Sequence, residues 1–112
     1  MISEKYVPAK GDVVWLEFSP QVGHEQAGRR PALCLSPREY NKKVGLAIFC
    51  PITSQVKGYP FEVFLTDSVE INGVILADQV KNFDWKTRSA SFICKIPDEV
   101  LSEVFGKIRT LL

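Results

Sequence analysis

Residues 31–50 read Pro31-Ala32-Leu33-Cys34-Leu35-Ser36, a basic turn, and then Gly45-Leu46-Ala47-Ile48-Phe49-Cys50. Both runs are short and apolar at nearly every position. A strand with both faces covered reads this way, whereas a half-wet strand alternates. Working outward, Gly11-Asp12 opens the run Val13-Val14-Trp15-Leu16-Glu17-Phe18 and Ser19-Pro20 closes it. Phe61-Glu62-Val63-Phe64-Leu65 alternates enough for a strand with one wet face. Asn72-Gly73 is a turn signal ahead of Val74-Ile75-Leu76-Ala77, and Ser89-Ala90-Ser91-Phe92-Ile93-Cys94 reads as a last strand. Residues 19–30 and 51–60 are polar and turn-rich, so they are expected to be loops.

The end of the chain has a different period. From Pro97 to Leu112, apolar residues fall at Val100, Leu101, Val104, Phe105, Ile108, Leu111 and Leu112, the stripe of an amphipathic helix. Asp98 and Glu99 sit in its first turn and Lys107 and Arg109 near its last, each where the helix dipole favours its charge. The expected fold is mostly β, a small barrel capped by a C-terminal helix, in one domain spanning residues 1–112.

Composition sets outer limits. Of 112 residues, 46% are hydrophobic and 24% charged, near the globular average, so disorder, collagen and coiled coil are excluded as the main architecture. The longest uncharged apolar stretch, Val44 to Thr53, is too short to span a bilayer. Met1-Ile2-Ser3-Glu4-Lys5-Tyr6 lacks the apolar region of a signal peptide. The default expectation is a soluble cytoplasmic protein with no membrane partner. Cys34, Cys50 and Cys94 are widely spaced in apolar runs, which suits buried thiols and not a zinc site. No metal or cofactor is expected.

Charge nearly balances, with 14 Lys+Arg against 13 Asp+Glu, so a wholesale basic nucleic-acid binder is not indicated. The distribution is uneven. Residues 24–60 carry six basic and two acidic side chains, and residues 61–112 carry six basic and eight acidic. A basic face built from the first segment would suit a polyanion.

Two loops carry groups suited to chemistry. The first contains His24-Glu25-Gln26-Ala27-Gly28-Arg29-Arg30-Pro31 and the second Thr53-Ser54-Gln55-Val56-Lys57-Gly58-Tyr59-Pro60. Together they offer a carboxylate, an imidazole, arginines and hydroxyls. That set fits metal-free RNA cleavage, because RNA supplies its own nucleophile, the 2′-hydroxyl. The protein must then move protons and stabilise charge on the phosphate oxygens. Arginine suits the second task, since its planar fork matches phosphate and stays charged. Each of these residues also has a plain structural alternative, as an ion pair, a solvated side chain or a turn former.

The ordered stretches 11–20 (GDVVWLEFSP), 23–31 (GHEQAGRRP), Leu35-Ser36-Pro37, Tyr40-Asn41, Pro51-Ile52-Thr53, 57–63 (KGYPFEV) and 77–81 (ADQVK) resemble the MazF-type mRNA interferases, toxins of bacterial toxin–antitoxin pairs, with Kid and CcdB as wider kin. The resemblance implies an SH3-like barrel, a homodimer and a metal-independent, sequence-specific endoribonuclease. It implies a single-stranded RNA substrate, a MazE-like antitoxin partner, and 2′,3′-cyclic phosphate and 5′-hydroxyl products. It makes Arg30, Thr53, Glu25 and His24 the catalytic candidates, although relatives often carry serine where His24 stands. Arg29, Gln26, Ser54, Lys57, Tyr59, Asp78 and Phe18 are the RNA-binding candidates, with Phe83 a further aromatic. Asp78 matches an acid of the Kid branch, but that branch has an arginine where this chain has Leu76. A CcdB-like gyrase poison is the alternative, disfavoured because the chain ends Arg109-Thr110-Leu111-Leu112 and keeps Arg30 and Thr53. A non-catalytic RNA- or antitoxin-binding barrel is the other alternative.

Overall fold

The computed structural model describes residues 5–18, 28–66 and 70–112. Within them the elements are β1 (Asp12–Glu17), β2 (Arg29–Cys34), α1 (Arg38–Val44), β3 (Ala47–Thr53), β4 (Glu62–Phe64), β5 (Val74–Leu76), β6 (Lys81–Phe83), β7 (Ser91–Lys95) and α2 (Asp98–Arg109). The sheet is antiparallel, in the order β4-β5-β3-β2-β1-β7, with β6 also beside β3. β3 is long enough to share one edge between two partners. Its end, Ile52 and Thr53, pairs with β5, and its start, Ala47 to Phe49, pairs with β6.

The doubly apolar runs behave as their pattern requires. Leu33, Cys50 and Ile52 face one core with Val13, Val63 and Ile75, while Ala32, Cys34, Ala47 and Phe49 face a second with Val14 and Leu16. α2 closes the first core by burying Val100 and Val104, each contributing about 1.5–3 kcal/mol on complete burial. Tyr6, Val7, Phe83 and Trp85 close the second. Among the described residues no ladder joins β4 to β7, so the sheet is barrel-like with one open seam. Cys34 and Cys50 are buried and Cys94 half-buried, all three free thiols, and burial pushes the Cys50 thiol up to about 12.

Four expectations need correction. The basic turn after Ser36 is a helix, α1. Gly45, at φ 81°, ends it by donating its N–H to the Asn41 carbonyl, and seven residues are too few for a readable stripe. β6 is also new, a three-residue strand. Two strands intrude on the expected loops: β2 starts at Arg29, and β3 runs on to Thr53. The apolar tail is not part of the helix face, since α2 ends at Arg109, leaving Leu111 and Leu112 exposed.

Candidate active site

Arg30 and Thr53 lie 23 residues apart in sequence, on the adjacent antiparallel strands β2 and β3. That ladder pairs Cys34 with Phe49, Leu33 with Cys50 and Ala32 with Pro51. It stops where Pro51, and Pro31 one residue on, have no N–H to donate. The last pair of this ladder is Ala32 with Pro51, and the same register continued two steps further would set Arg30 across from Thr53, on the sheet face shared by Ala32 and Phe49. Directly opposed residues on one face sit within side-chain reach. Arg30 is half-buried and paired with Leu16 of β1, and Thr53 is buried and paired with Val74 of β5.

The Thr53 hydroxyl accepts the Gln55 N–H at 3.2 Å. A hydroxyl has one proton and two lone pairs, so its proton remains to be donated outward. Thr53 opens into a cleft of about 230 Å³ lined by Gln55, Lys57, Tyr59, Glu62, Leu76 and Gln79. The cleft is smaller than the roughly 300–1,000 Å³ that encloses a drug-sized ligand. It suits a group the size of a nucleotide fragment.

Glu62 shapes this cleft. Its buried carboxylate accepts the Lys57 and Gly58 N–H groups through separate oxygens, each at 2.9 Å. The turn carrying Lys57 and Tyr59 is therefore pinned to β4. Tyr59 donates its hydroxyl to Asp78 Oδ1 at 2.6 Å. Burial first, and then the Asp78 carboxylate, push the Tyr59 hydroxyl up to about 12. The folded state thus holds this proton more tightly than the unfolded chain. Its contribution to stability is complete below pH 10 and is lost as pH rises from about 10 towards 12. Urea unfolding midpoints across that window should fall, and Tyr59→Phe should flatten part of the fall. Tyr6, bonded to Asp12, and the buried Cys34 and Cys50 thiols are raised as well and add to the same fall.

The other expected site residues divide clearly. Ser54 is exposed beside Thr53. Arg29 donates through Nη2 to the Ser89 carbonyl and the Ser91 hydroxyl, both at 2.9 Å, which ties it to β7. Phe18 is only 7% exposed and packs edge-on against Phe83 at 5.5 Å, with the Arg88 guanidinium 4.0 Å from the Phe83 ring. Phe18 belongs to the second core, and Phe83 is half-buried against it. Glu25, His24 and Gln26 lie outside the described residues. Among the described residues no group of three or more His, Cys, Asp or Glu gathers in a way that would hold a metal ion.

Residues 9–112 match the family described as PemK-like, MazF-like toxin of type II toxin-antitoxin system. The chain belongs to this family. The Escherichia coli K12 endoribonuclease toxin MazF is 47% identical over 108 residues, covering 96% of each chain. The Bacillus subtilis endoribonuclease EndoA is 33% identical, with 85% of each covered. The crystal structure of MazF (Form-I) from Deinococcus radiodurans superposes with a TM-score of 0.92 at 52% identity, over 96% of this chain and 97% of that one. The MazE-MazF complex (Form-II) from the same organism gives 0.87 at 52%, over 96% of each chain.

In this MazF-like chain, sequence reasoning missed the residues that hold the site in shape. Glu62 read as one polar position in an alternating strand. Gly73 read as an ordinary turn glycine, yet it has φ 124°, and a Cβ there would lie 2.2 Å from the Thr53 carbonyl oxygen. Gly73→Ala must therefore displace the backbone of Thr53 itself. It is expected to cost about 2–4 kcal/mol in urea unfolding and to impair the site beyond that loss.

Proposed function

We propose that this chain cuts single-stranded RNA at a phosphodiester held between Arg30 and Thr53, with the RNA 2′-hydroxyl as nucleophile. The attack leaves a 2′,3′-cyclic phosphate on one fragment and a 5′-hydroxyl on the other. What supports this reading is the placement of Arg30 and Thr53 at the same end of the adjacent strands β2 and β3, with Thr53 lining the cleft. The Arg30 fork pairs with the non-bridging oxygens, and the Thr53 hydroxyl donates to the same charge as it grows. Preorganised donors of this kind lower the barrier by about 3 kcal/mol each. Glu25 and His24 are the groups proposed to move protons to and from the sugar oxygens.

Recognition falls to the bases. Lys57, Tyr59, Ser54, Gln26 and the Asp78 carboxylate are proposed to read base edges splayed over the cleft, while Arg29 braces its neighbour Arg30. Cutting message in this way arrests translation and growth. We further propose a homodimer and a MazE-like antitoxin whose acidic segment covers the basic loops. No helix among the described residues is long and apolar enough to cross a membrane, and the proposed site of action is the cytoplasm, where message is found.

Incubating purified protein with single-stranded RNA in EDTA tests the reading. The expected result is cleavage with 5′-hydroxyl ends, abolished when the nucleotide at the cut is 2′-deoxy. Intact RNA with folded protein, or cleavage of the deoxy strand, would overturn it.

A further inference from the structure

We infer that a basic groove on the α1 side of the second core is an additional binding site for the RNA backbone, a reading that rests on the RNA-cleaving function above. Two adjoining hollows, of about 320 and 370 Å³, share Lys5, Trp85 and Lys86. Arg38 and Lys42 complete the wall of the first, and Ser89 borders the second. All four cations are exposed, and no acidic residue lines either hollow among the described residues. The nearby acids turn elsewhere or stand outside. Asp84 accepts the Lys86 and Thr87 N–H groups, and Glu39 on α1 is exposed.

Arg38, Lys42 and Lys86 line one common hollow. Arg38 and Lys42 sit four apart on α1, where like charges repel. Lys86 stands 5.7 Å over the Trp85 ring, beside both. Binding a string of phosphates explains such an arrangement.

At Ser89 the groove also meets Arg29 of β2. Ser89, with φ 54°, turns its carbonyl to Arg29 Nη2, and Arg29 adjoins Arg30 on β2. A strand leaving the Arg30 edge would pass Arg29 and Ser89 into the groove. The groove floor favours RNA over an acidic peptide. Trp85 is only 5% exposed and donates its Nε1–H to the Asn41 carbonyl, so it offers no socket for an apolar anchor. Contacts of this type fix position without reading sequence.

The test compares the full-length wild type with the triple variant Arg38→Gln, Lys42→Gln, Lys86→Gln. Each is assayed on a long single-stranded RNA and on a short oligonucleotide spanning only the cut. The variant should raise KM for the long RNA about tenfold and lower the slope of log KM against log salt by about 2, as expected for three lost phosphate contacts on a single strand. Its kcat, and both constants on the short oligonucleotide, should stay within about twofold. The charge-preserving variant Arg38→Lys, Lys42→Arg, Lys86→Arg should behave as wild type. Equal KM changes on both substrates, an unchanged salt slope, or weakened binding of an acidic peptide with RNA unaffected would overturn the inference. Cleavage of the short oligonucleotide by the wild type tests the parent reading separately.

Discussion

Arg30→Ala is expected to lower the rate of RNA cleavage by at least ~10²-fold while the fold persists, measured by single-turnover cleavage alongside circular dichroism. Position 30 lies at the end of β2, beyond the last β2–β3 backbone pair and outside both cores. Removing the guanidinium should therefore disable the site more than it destabilises the sheet. Arg30→Lys keeps the charge but not the planar fork, and should recover only a small part of the rate. A full recovery would mean that the position supplies a point charge and no bidentate grip.

Asn41→Ala should give the largest loss of stability, about 3–5 kcal/mol by urea unfolding, with the thermal midpoint lower by more than about 10 °C. Asn41 is fully buried on a short helix and joins four segments. Its Nδ2 donates to the Pro8 carbonyl at 2.7 Å and to the Ser36 carbonyl at 3.0 Å, and its Oδ1 accepts the Ser36 hydroxyl at 2.6 Å. Ser36 Oγ in turn accepts the Ile48 N–H at 2.9 Å. Alanine would orphan the Pro8 carbonyl and a buried hydroxyl together and leave a void. Most natural domains have only about 5–15 kcal/mol to lose. A change below about 1 kcal/mol would show that water replaces the amide readily.

These two residues mark what a sequence reading reaches and where it stops. Every strand but β6 was legible because apolar runs bounded by Gly and Pro leave few alternatives, and α2 was legible because twelve residues carry a complete stripe. α1 was not, because seven residues give barely two turns and its buried member is polar. Asn41 was noticed only as part of a resemblance; that a buried amide holds Pro8, Ser36 and, through its backbone carbonyl, Trp85 depends on contacts far apart in sequence. Arg30 and Thr53 were identifiable as residue types in two loops. Their placement on adjacent strands depends on the β2–β3 pairing, which three backbone pairs set and no local pattern reveals. The aromatic candidates divided by burial, since Phe18 alternates with core residues of β1 and follows them inward. Glu62 shows the converse: a carboxylate in an alternating strand looks solvated until its two backbone partners are seen.

On the proposed mechanism the Arg30 guanidinium and the Thr53 hydroxyl grip one phosphate together. A double-mutant cycle on single-turnover RNA cleavage, with Arg30→Ala, Thr53→Val and the combined variant, measures that cooperation directly. The account predicts a combined loss well short of the product of the two single losses, because either change alone already breaks the shared grip. Losses that simply multiply, or a Thr53→Val protein that cuts at the wild-type rate, would contradict it.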